Sequence, residues 1–248
     1  MILSVSRRTD IIAFYLDWFF NRLREGYVLV RNPMNYRQVS KVYLNPSDID
    51  CIVFWTKDPT NILERLDMLN NYFYYFHVTI TGYDKVLEPN VPTKEKIIQS
   101  FQELSRKVGS ERIIWRYDPI VLSPDIDVQF HQRRFEYIAS CLNGYTKRCI
   151  ISFVDMYRKT KRNTKALNMY DISHEQMLDI AGVIAEITSG CGMEVQTCCE
   201  EVDLSHLGIH HGKCIDDDLI SRISGRRLKS RKDKNQRAAC GCVESVDV

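Results

Sequence analysis

Long apolar runs are missing from this chain of 248 residues. The longest, such as the one from Ile150 to Val154, are far shorter than the roughly 18 residues that cross a bilayer. The N-terminus reaches Arg7 and Arg8 without a cleavage-type signal. The sequence therefore predicts a cytoplasmic protein with no membrane partner.

The motifs of several common enzyme classes are also missing. The chain has no glycine-rich phosphate loop, dinucleotide-binding glycine motif, zinc-protease motif, calcium loop or serine-hydrolase elbow. It has no Gly/Ser linker and no internal repeat. With 44% hydrophobic and 27% charged residues, the composition excludes collagen, coiled coil and disordered chains and indicates a globular core.

A disulfide framework is not indicated, because nine cysteines are an odd number spread over a mid-sized chain. Three of them lie within apolar patterns and are predicted to be buried: Cys51, Cys141 and Cys149. Another group of cysteines lies late in the chain and includes the C-x-C motif of Cys240 and Cys242. This motif is a weak metal signal, because zinc would need further ligands such as Cys214, His210 or His211. We predict that one metal does not bind all four of Cys198, Cys214, Cys240 and Cys242, and we assign no metal ligands.

Charge is nearly balanced, with a formal net charge of +2, but it is unevenly distributed. Residues Arg158 to Lys165 contain five basic residues and no acid, and Arg226 to Arg237 contain seven basic residues with Asp233. Such segments can bind phosphate or nucleic acid, although a solvated face is the commoner explanation. Small-molecule and nucleic-acid substrates both stay open, and the oligomeric state is not defined.

Apolar runs alternate with amphipathic stretches, which predicts parallel strands joined by helices. The predicted strands are Ile2–Ser6, Cys51–Thr56, Phe73–Thr81, Arg112–Tyr117, Arg148–Asp155 and Met193–Cys198. The predicted helices are Ile11–Glu25, Thr60–Asn70, Thr93–Val108, Gln129–Leu142, Ser173–Thr188 and Asp216–Ile223. The pattern indicates an α/β fold, specifically a partial (β/α)6 TIM-like barrel, with a β-hairpin inserted after the first unit between Tyr27 and Leu44.

Residues 1–225 form the predicted barrel domain, and residues 226–248 form a basic, irregular C-terminal extension. We expect this extension to be more mobile than the barrel, because its like charges repel one another and only Leu228 and Val243 are candidate anchors.

Candidate functional residues follow from the rule that groups at the carboxyl ends of parallel strands share one mouth. Polar residues follow all six predicted strands. The structural explanation is a set of ion pairs that fix loops; the functional explanation, which we favour, is a polar site where guanidinium groups bind a carboxylate or phosphate. No residue is assigned as catalytic. The candidate ligand-binding residues are Arg7, Arg8, Asp10, Trp55, Lys57, Arg116, Asp118, Ser152, Asp155, Gln196, Glu200 and Glu201.

Several ordered strings together resemble the uncharacterised family called domain of unknown function 1848, over Ile2 to Val248. They are Ser4–Asp10, Val53–Lys57, Ile114–Pro119, Ile151–Asp155, Thr197–Glu201 and Lys232–Arg237, the last followed by Cys240-Gly241-Cys242.

This resemblance implies a barrel similar to that of radical S-adenosylmethionine (SAM) enzymes, with a [4Fe–4S] cluster and S-adenosylmethionine as cofactors. In those enzymes the cluster-binding cysteines follow the first strand, where this chain has Ser6 to Asp10. Family members carry a C-x-x-x-C-x-x-C run after the segment matching Cys240 to Val248, so the cluster ligands are expected beyond residue 248. The implied function is a radical SAM-like iron–sulfur enzyme of unknown substrate, inactive without that run. The alternative is a barrel without a cluster that binds an anionic ligand or nucleic acid.

Overall fold

The computed structural model describes the backbone of residues 1–248 and every side chain except those of Lys159 and Ala166. The strands are β1 (Ile2–Val5), β2 (Tyr27–Asn32), β3 (Asn35–Tyr43), β4 (Cys51–Thr56), β5 (Tyr74–Thr79), β6 (Ile113–Ile120), β7 (Arg148–Phe153), β8 (Glu194–Thr197), β9 (His210–His211) and β10 (Val246–Asp247). The helices are α1 (Ile11–Phe14), α2 (Leu16–Glu25), α3 (Lys94–Val108), α4 (Val128–Leu142), α5 (Arg158–Asn163), α6 (His174–Ser189) and α7 (Asp217–Ser224).

Eight strands form one sheet in the order β10-β1-β4-β5-β6-β7-β8-β9, and every neighbouring pair is parallel. The α/β class is confirmed. The sheet is open, with β10 and β9 as its edges, and it has eight strands where six were predicted. The two additional strands have two residues each, too few for any periodic hydrophobic pattern to be seen in the sequence.

The six predicted strands are found with shifts of at most three residues at either end. The predicted helix Thr60–Asn70 is wrong, because that segment forms two 3₁₀ turns, Thr60–Ile62 and Leu66–Leu69. Between them Arg65 pairs with Asp17 at 2.5 Å and lies over the ring of Phe20. These tertiary contacts accompany the break in the predicted helix.

Capping side chains begin the crossover helices. Thr93 accepts from the backbone N–H of Lys96 at the start of α3, and Asp127 from that of Phe130 at the start of α4. Ser173 and Gln176 form the capping box expected from the sequence, which satisfies two N–H groups at the start of α6.

One face of the sheet packs against α2, α3, α4 and α6, and we call it the helix-covered face. Its core is apolar and aromatic, as shown by Phe54, Phe76 and Trp115 of the sheet and by Phe19 and Phe101 of the helices. The strands alternate strictly, so that Ile52 and Phe54 point to this face while their neighbours Cys51 and Val53 point to the other.

The opposite face is covered by residues 214–243, which we call the C-terminal segment. Ile215, Leu219 and Val243 of this segment pack against Val53 and Ile150 of the sheet. Helix α7 therefore lies on the face opposite to the other long helices, and it is not a sixth crossover helix of the predicted kind.

The residues beyond Gly225 are packed more extensively than predicted. Strand β10 pairs with β1, and the backbone N–H of Val248 donates to Ser4 O at 3.1 Å. Val243 is buried, as expected of an anchor, but Cys240 and Cys242 are equally buried. The expectation of two anchors is therefore wrong, and part of the predicted irregular extension belongs to the main sheet.

The predicted hairpin is present as β2 and β3, an antiparallel pair outside the main sheet. Val28 and Val42 bury one side of it, whereas Leu29 and Tyr43 on the other side are exposed. In the part of the chain that is described, no helix has the length and apolar character of a membrane span.

Candidate functional site

A cleft of about 460 Å³ opens beside the carboxyl ends of β1, β4 and β5. Five of the predicted site residues line it together: Arg7, Arg8, Asp10, Trp55 and Lys57. Apolar groups complete the wall, among them Phe14, Val91 and Pro92. A volume of this size suits a small molecule.

One carboxylate serves both arginines of the cleft. Asp247, on β10, accepts the backbone N–H of Arg7 at 2.8 Å and lies 3.8 Å from Arg7 Nε. Its other oxygen lies 3.1 Å from Arg8 Nε. Two guanidinium groups therefore share one negative charge. Arg7 Nη2 also donates to Ser245 Oγ at 3.1 Å and Arg8 Nη1 to Arg31 O at 3.2 Å, and both side chains are partly exposed.

A second carboxylate serves two lysines in the same way. Glu88, which is 7% exposed, pairs with both Lys57 and Lys94, and it accepts the Thr81 hydroxyl at 2.9 Å. Burial by itself would raise the pKa of Glu88, but the two lysines hold the pKa below its usual value. Glu88 is therefore ionised, and it balances only one of the two lysine charges.

Asp10 accepts hydrogen bonds from three neutral donors. It accepts from Ala13 N at 2.9 Å, from Thr56 Oγ1 at 3.0 Å and from Lys57 N at 2.7 Å, and burial raises its pKa. Asp58 likewise accepts the backbone N–H of Thr60 at 3.1 Å. These contacts fix the loops that follow β1 and β4.

A second polar group lies at the carboxyl end of β6. The Arg116 guanidinium donates to Asp118 through Nε at 3.0 Å and Nη2 at 2.5 Å, a bidentate pair, and Ser152 Oγ donates to Asp118 at 3.4 Å. Arg116 also lies 5.1 Å from the ring centroid of Trp55, which lines the cleft. Trp55 therefore lies between the cleft and the Arg116–Asp118 pair.

Glu200 is a carboxyl at this edge with a raised pKa. It accepts the backbone N–H of Phe153 at 2.8 Å, and burial raises its pKa to about 7 despite that bond; the charges of Asp155 and Asp118 add to the rise. Such a carboxyl can hold or release a proton near neutral pH. Asp155 itself pairs with Arg237 at 2.5 Å.

Two predicted site residues stay outside these groups. Gln196 donates to Glu194 at 2.6 Å, and Glu201 is exposed. Conversely, sequence reasoning missed Glu88 and Asp247, the partners of the cations. No motif marks either residue, because each reaches the cleft only through the tertiary fold.

The described side chains include one compact group of potential metal ligands, Asp216, Asp217 and Asp218. Arg148 pairs with Asp216 at 2.7 Å, and Lys213 pairs with Asp217 and Asp218 at 2.7 and 2.9 Å. Asp216 also caps α7. These ion pairs and the cap account for the group without a metal.

The fold and the site together define an open parallel α/β protein with a polar, cation-lined cleft at the carboxyl edge of its sheet. The chain belongs to the family described as "Domain of unknown function (DUF1848)", whose pattern matches residues 2–248. Among curated proteins nothing matches.

Among solved structures, the chain is similar to a crystal structure titled a "putative alpha-L-fucosidase" from Bacteroides thetaiotaomicron. The identity is 9%, the match covers 82% of this chain and 76% of the other, and the TM-score is 0.34. A likeness this weak supports no inference about activity.

Proposed function

We propose that the carboxyl-edge cleft binds a small molecule that combines a carboxylate or phosphate group with a flat apolar body. The observation that carries this proposal is the sharing of two carboxylates among four cations: Asp247 between Arg7 and Arg8, and Glu88 between Lys57 and Lys94. Each shared pair keeps donors that a ligand anion can accept from.

The apolar part of the ligand has its own support. Phe14 is 66% exposed and lines the cleft, and Trp55 lines it while its Nε1 donates to Ser4 Oγ at 3.1 Å. The ring of Trp55 also stacks on His77 with centroids 4.3 Å apart. The indole of Trp55, which these contacts fix in place, and the exposed ring of Phe14 offer apolar surface beside the cations.

The proposal is tested by isothermal titration calorimetry with phenyl phosphate and benzoate, which carry the two anions on one flat ring. We expect saturable binding to the unmodified chain and at least tenfold weaker binding to Lys57→Met, a loss of about 1.4 kcal/mol. Lys107→Met is the matched control, because Lys107 lies at the far end of α3, where it pairs with Glu103 at 3.8 Å. Absence of saturable binding, or equal affinity in Lys57→Met, overturns the proposal.

The second candidate is a radical SAM-like iron–sulfur enzyme of unknown substrate on a partial barrel, and it rests on the family resemblance. The first-strand loop does not fit a cluster, because Ser6 to Asp10 contains no cysteine and its two arginines bind Asp247. We derive no catalytic step from it. Iron and acid-labile sulfide, measured after anaerobic purification, distinguish the candidates: about four irons per chain favour the enzyme, and their absence with phenyl phosphate binding retained favours the first proposal.

A further inference from the structure

We propose that Cys198 and Cys214 form an oxidisable dithiol, which a small-molecule disulfide converts into an intramolecular disulfide bond. Their sulfur atoms lie 3.2 Å apart, and all nine cysteines of the chain are free thiols. A disulfide bond measures about 2.0 Å, so the two atoms have to approach by only about 1.2 Å.

The strand topology brings the two thiols together. Cys198 directly follows β8, and Cys214 comes three residues after the end of β9. These two strands are neighbours at the sheet edge, with Gln196 opposite His210 and Thr197 opposite His211. The sixteen-residue separation in sequence thus becomes a side-chain contact at the carboxyl edge.

The difference in accessibility determines which of the two thiols reacts first. Cys198 is half-buried, whereas Cys214 is 5% exposed. Cys198, after losing its proton, attacks one sulfur of the small disulfide; the small S–S bond breaks, one small thiol is released and a mixed disulfide remains on Cys198. Cys214, after losing its proton, then attacks the Cys198 sulfur and expels the second small thiol. The two cysteines lose two electrons and two protons, and the small disulfide gains them as two thiols.

Arg116 is placed to assist the second step. Its Nη1 donates to Cys214 Sγ at 2.8 Å, and a guanidinium charge at that distance stabilises a thiolate. The contact with Cys198 lowers the pKa of Cys214, but the neighbouring Cys242 and burial outweigh it, and the pKa is about 11. The contact with Cys214 and burial raise the pKa of Cys198 as well. Both thiols are therefore protonated at neutral pH, and the pair stays a dithiol until an oxidant of the disulfide class is supplied.

Neighbouring cysteines are arranged differently. Cys199, with a positive φ of 61°, follows Cys198 directly, but it is the sulfur of Cys198 that contacts Cys214. Cys242 Sγ accepts the backbone N–H groups of Cys214 and Ile215 at 3.2 and 3.5 Å, which holds it beside the chain. Cys199 is therefore a matched control: it is adjacent in sequence to Cys198 but lacks its partner.

The test is thiol counting on the denatured full chain after equilibration with oxidised glutathione, with peptide mapping of the cross-link by fragmentation mass spectrometry. We expect the unmodified chain and Cys199→Ser each to lose two thiols, and dithiothreitol to restore them. Cys198→Ser and Cys214→Ser should each lose none to an intramolecular bond.

Two results overturn the proposal. One is a cross-link that maps to Cys199 or Cys242, or no cross-link at all in the unmodified chain. The other is about one equivalent of zinc that copurifies with the unmodified chain and is lost from both Cys198→Ser and Cys214→Ser, because the thiols would then be metal ligands.

Discussion

The two faces of the sheet are built from the same strands but held in different ways. On the helix-covered face, phenyl rings and aliphatic groups pack directly, as in the stacked pair Phe54 and Phe76 with centroids 5.0 Å apart. On the opposite face, polar side chains bind the C-terminal segment: Tyr75 OH donates to Cys214 O at 2.7 Å, and Arg148 pairs with Asp216 at 2.7 Å. Both faces bury apolar groups. The helix-covered face also has buried hydrogen bonds, such as Tyr117 OH to His131 Nδ1 at 2.9 Å, whereas hydrogen bonds and an ion pair hold the C-terminal segment on the opposite face.

Because of this difference, the candidate site groups lie on the opposite face and not on the helix-covered face. Apolar burial on the helix-covered face needs no ligand and is complete in itself. The opposite face leads at its carboxyl edge to the shared carboxylates, the Arg116 and Asp118 pair and the thiols. Buried His77 belongs to this face; burial and Arg116 lower its pKa, so it is neutral and donates to Cys214 O at 2.7 Å. Polar groups are kept here because they position the segment and the cleft.

The largest effect is expected on the helix-covered face. Phe101→Ala removes a fully buried ring from α3 and should lower the free energy of unfolding by about 3–5 kcal/mol, measured by urea denaturation. Phe14→Ala, the same substitution at a side chain 66% exposed, should change it by less than about 0.5 kcal/mol. Similar losses in the two variants would contradict this packing of the helices.

A smaller effect is expected on the opposite face. Tyr75→Phe removes the hydroxyl that accepts Asp216 N at 3.1 Å and leaves that buried N–H without its partner. The loss should be about 1–2 kcal/mol, with faster tryptic cleavage between Arg226 and Arg237 as the segment loosens. Tyr137→Phe, at an exposed ring of α4, should behave like the unmodified chain. A Tyr75→Phe chain as stable and as resistant as the parent would show that the segment does not depend on this bond.

A third effect is the pH dependence of stability that Glu200 causes. Its pKa is about 7 in the folded chain against 4.5 for an ordinary glutamate, so the folded state holds a proton that the unfolded state has lost. Stability should therefore fall as pH rises from about 4.5 to 7, and Glu200→Gln should remove that part of the fall. Urea denaturation at pH 5, 6, 7 and 8 checks this. Parallel stability profiles for the two chains would be inconsistent with the raised pKa.

The same contrast explains what could be predicted from the sequence. Strands of the main sheet were recognisable because apolar and β-branched runs depend on burial on both faces. Arg116 and Asp118 were both named as candidate site residues, because they follow one another closely at the end of one predicted strand. Edge strands β9 and β10, and the covering of the second face by α7, depend on tertiary contacts that leave no periodic pattern.

The cleft also depends on tertiary contacts that the sequence does not reveal. Arg7, Arg8 and Lys57 were predicted from their position after strands, but Lys94 was not. The partners Asp247 and Glu88 come from the last strand and from an irregular loop. Arg8 and Asp247 are 239 positions apart, and no local rule joins them. The cysteine contact between Cys198 and Cys214 also arises from strand order, which single-residue spacing does not reveal.

The central claim is that the cations of the cleft bind an anion, and the sign of a charge change tests it most directly. The measurement is the dissociation constant of phenyl phosphate, by isothermal titration calorimetry, for the unmodified chain, Arg8→Met and Asp247→Asn. Removing the shared negative charge while keeping an oxygen for the Arg7 N–H should tighten binding in Asp247→Asn, and Arg8→Met should weaken it several-fold or more. Equal dissociation constants in all three chains, or the opposite order, would contradict the account.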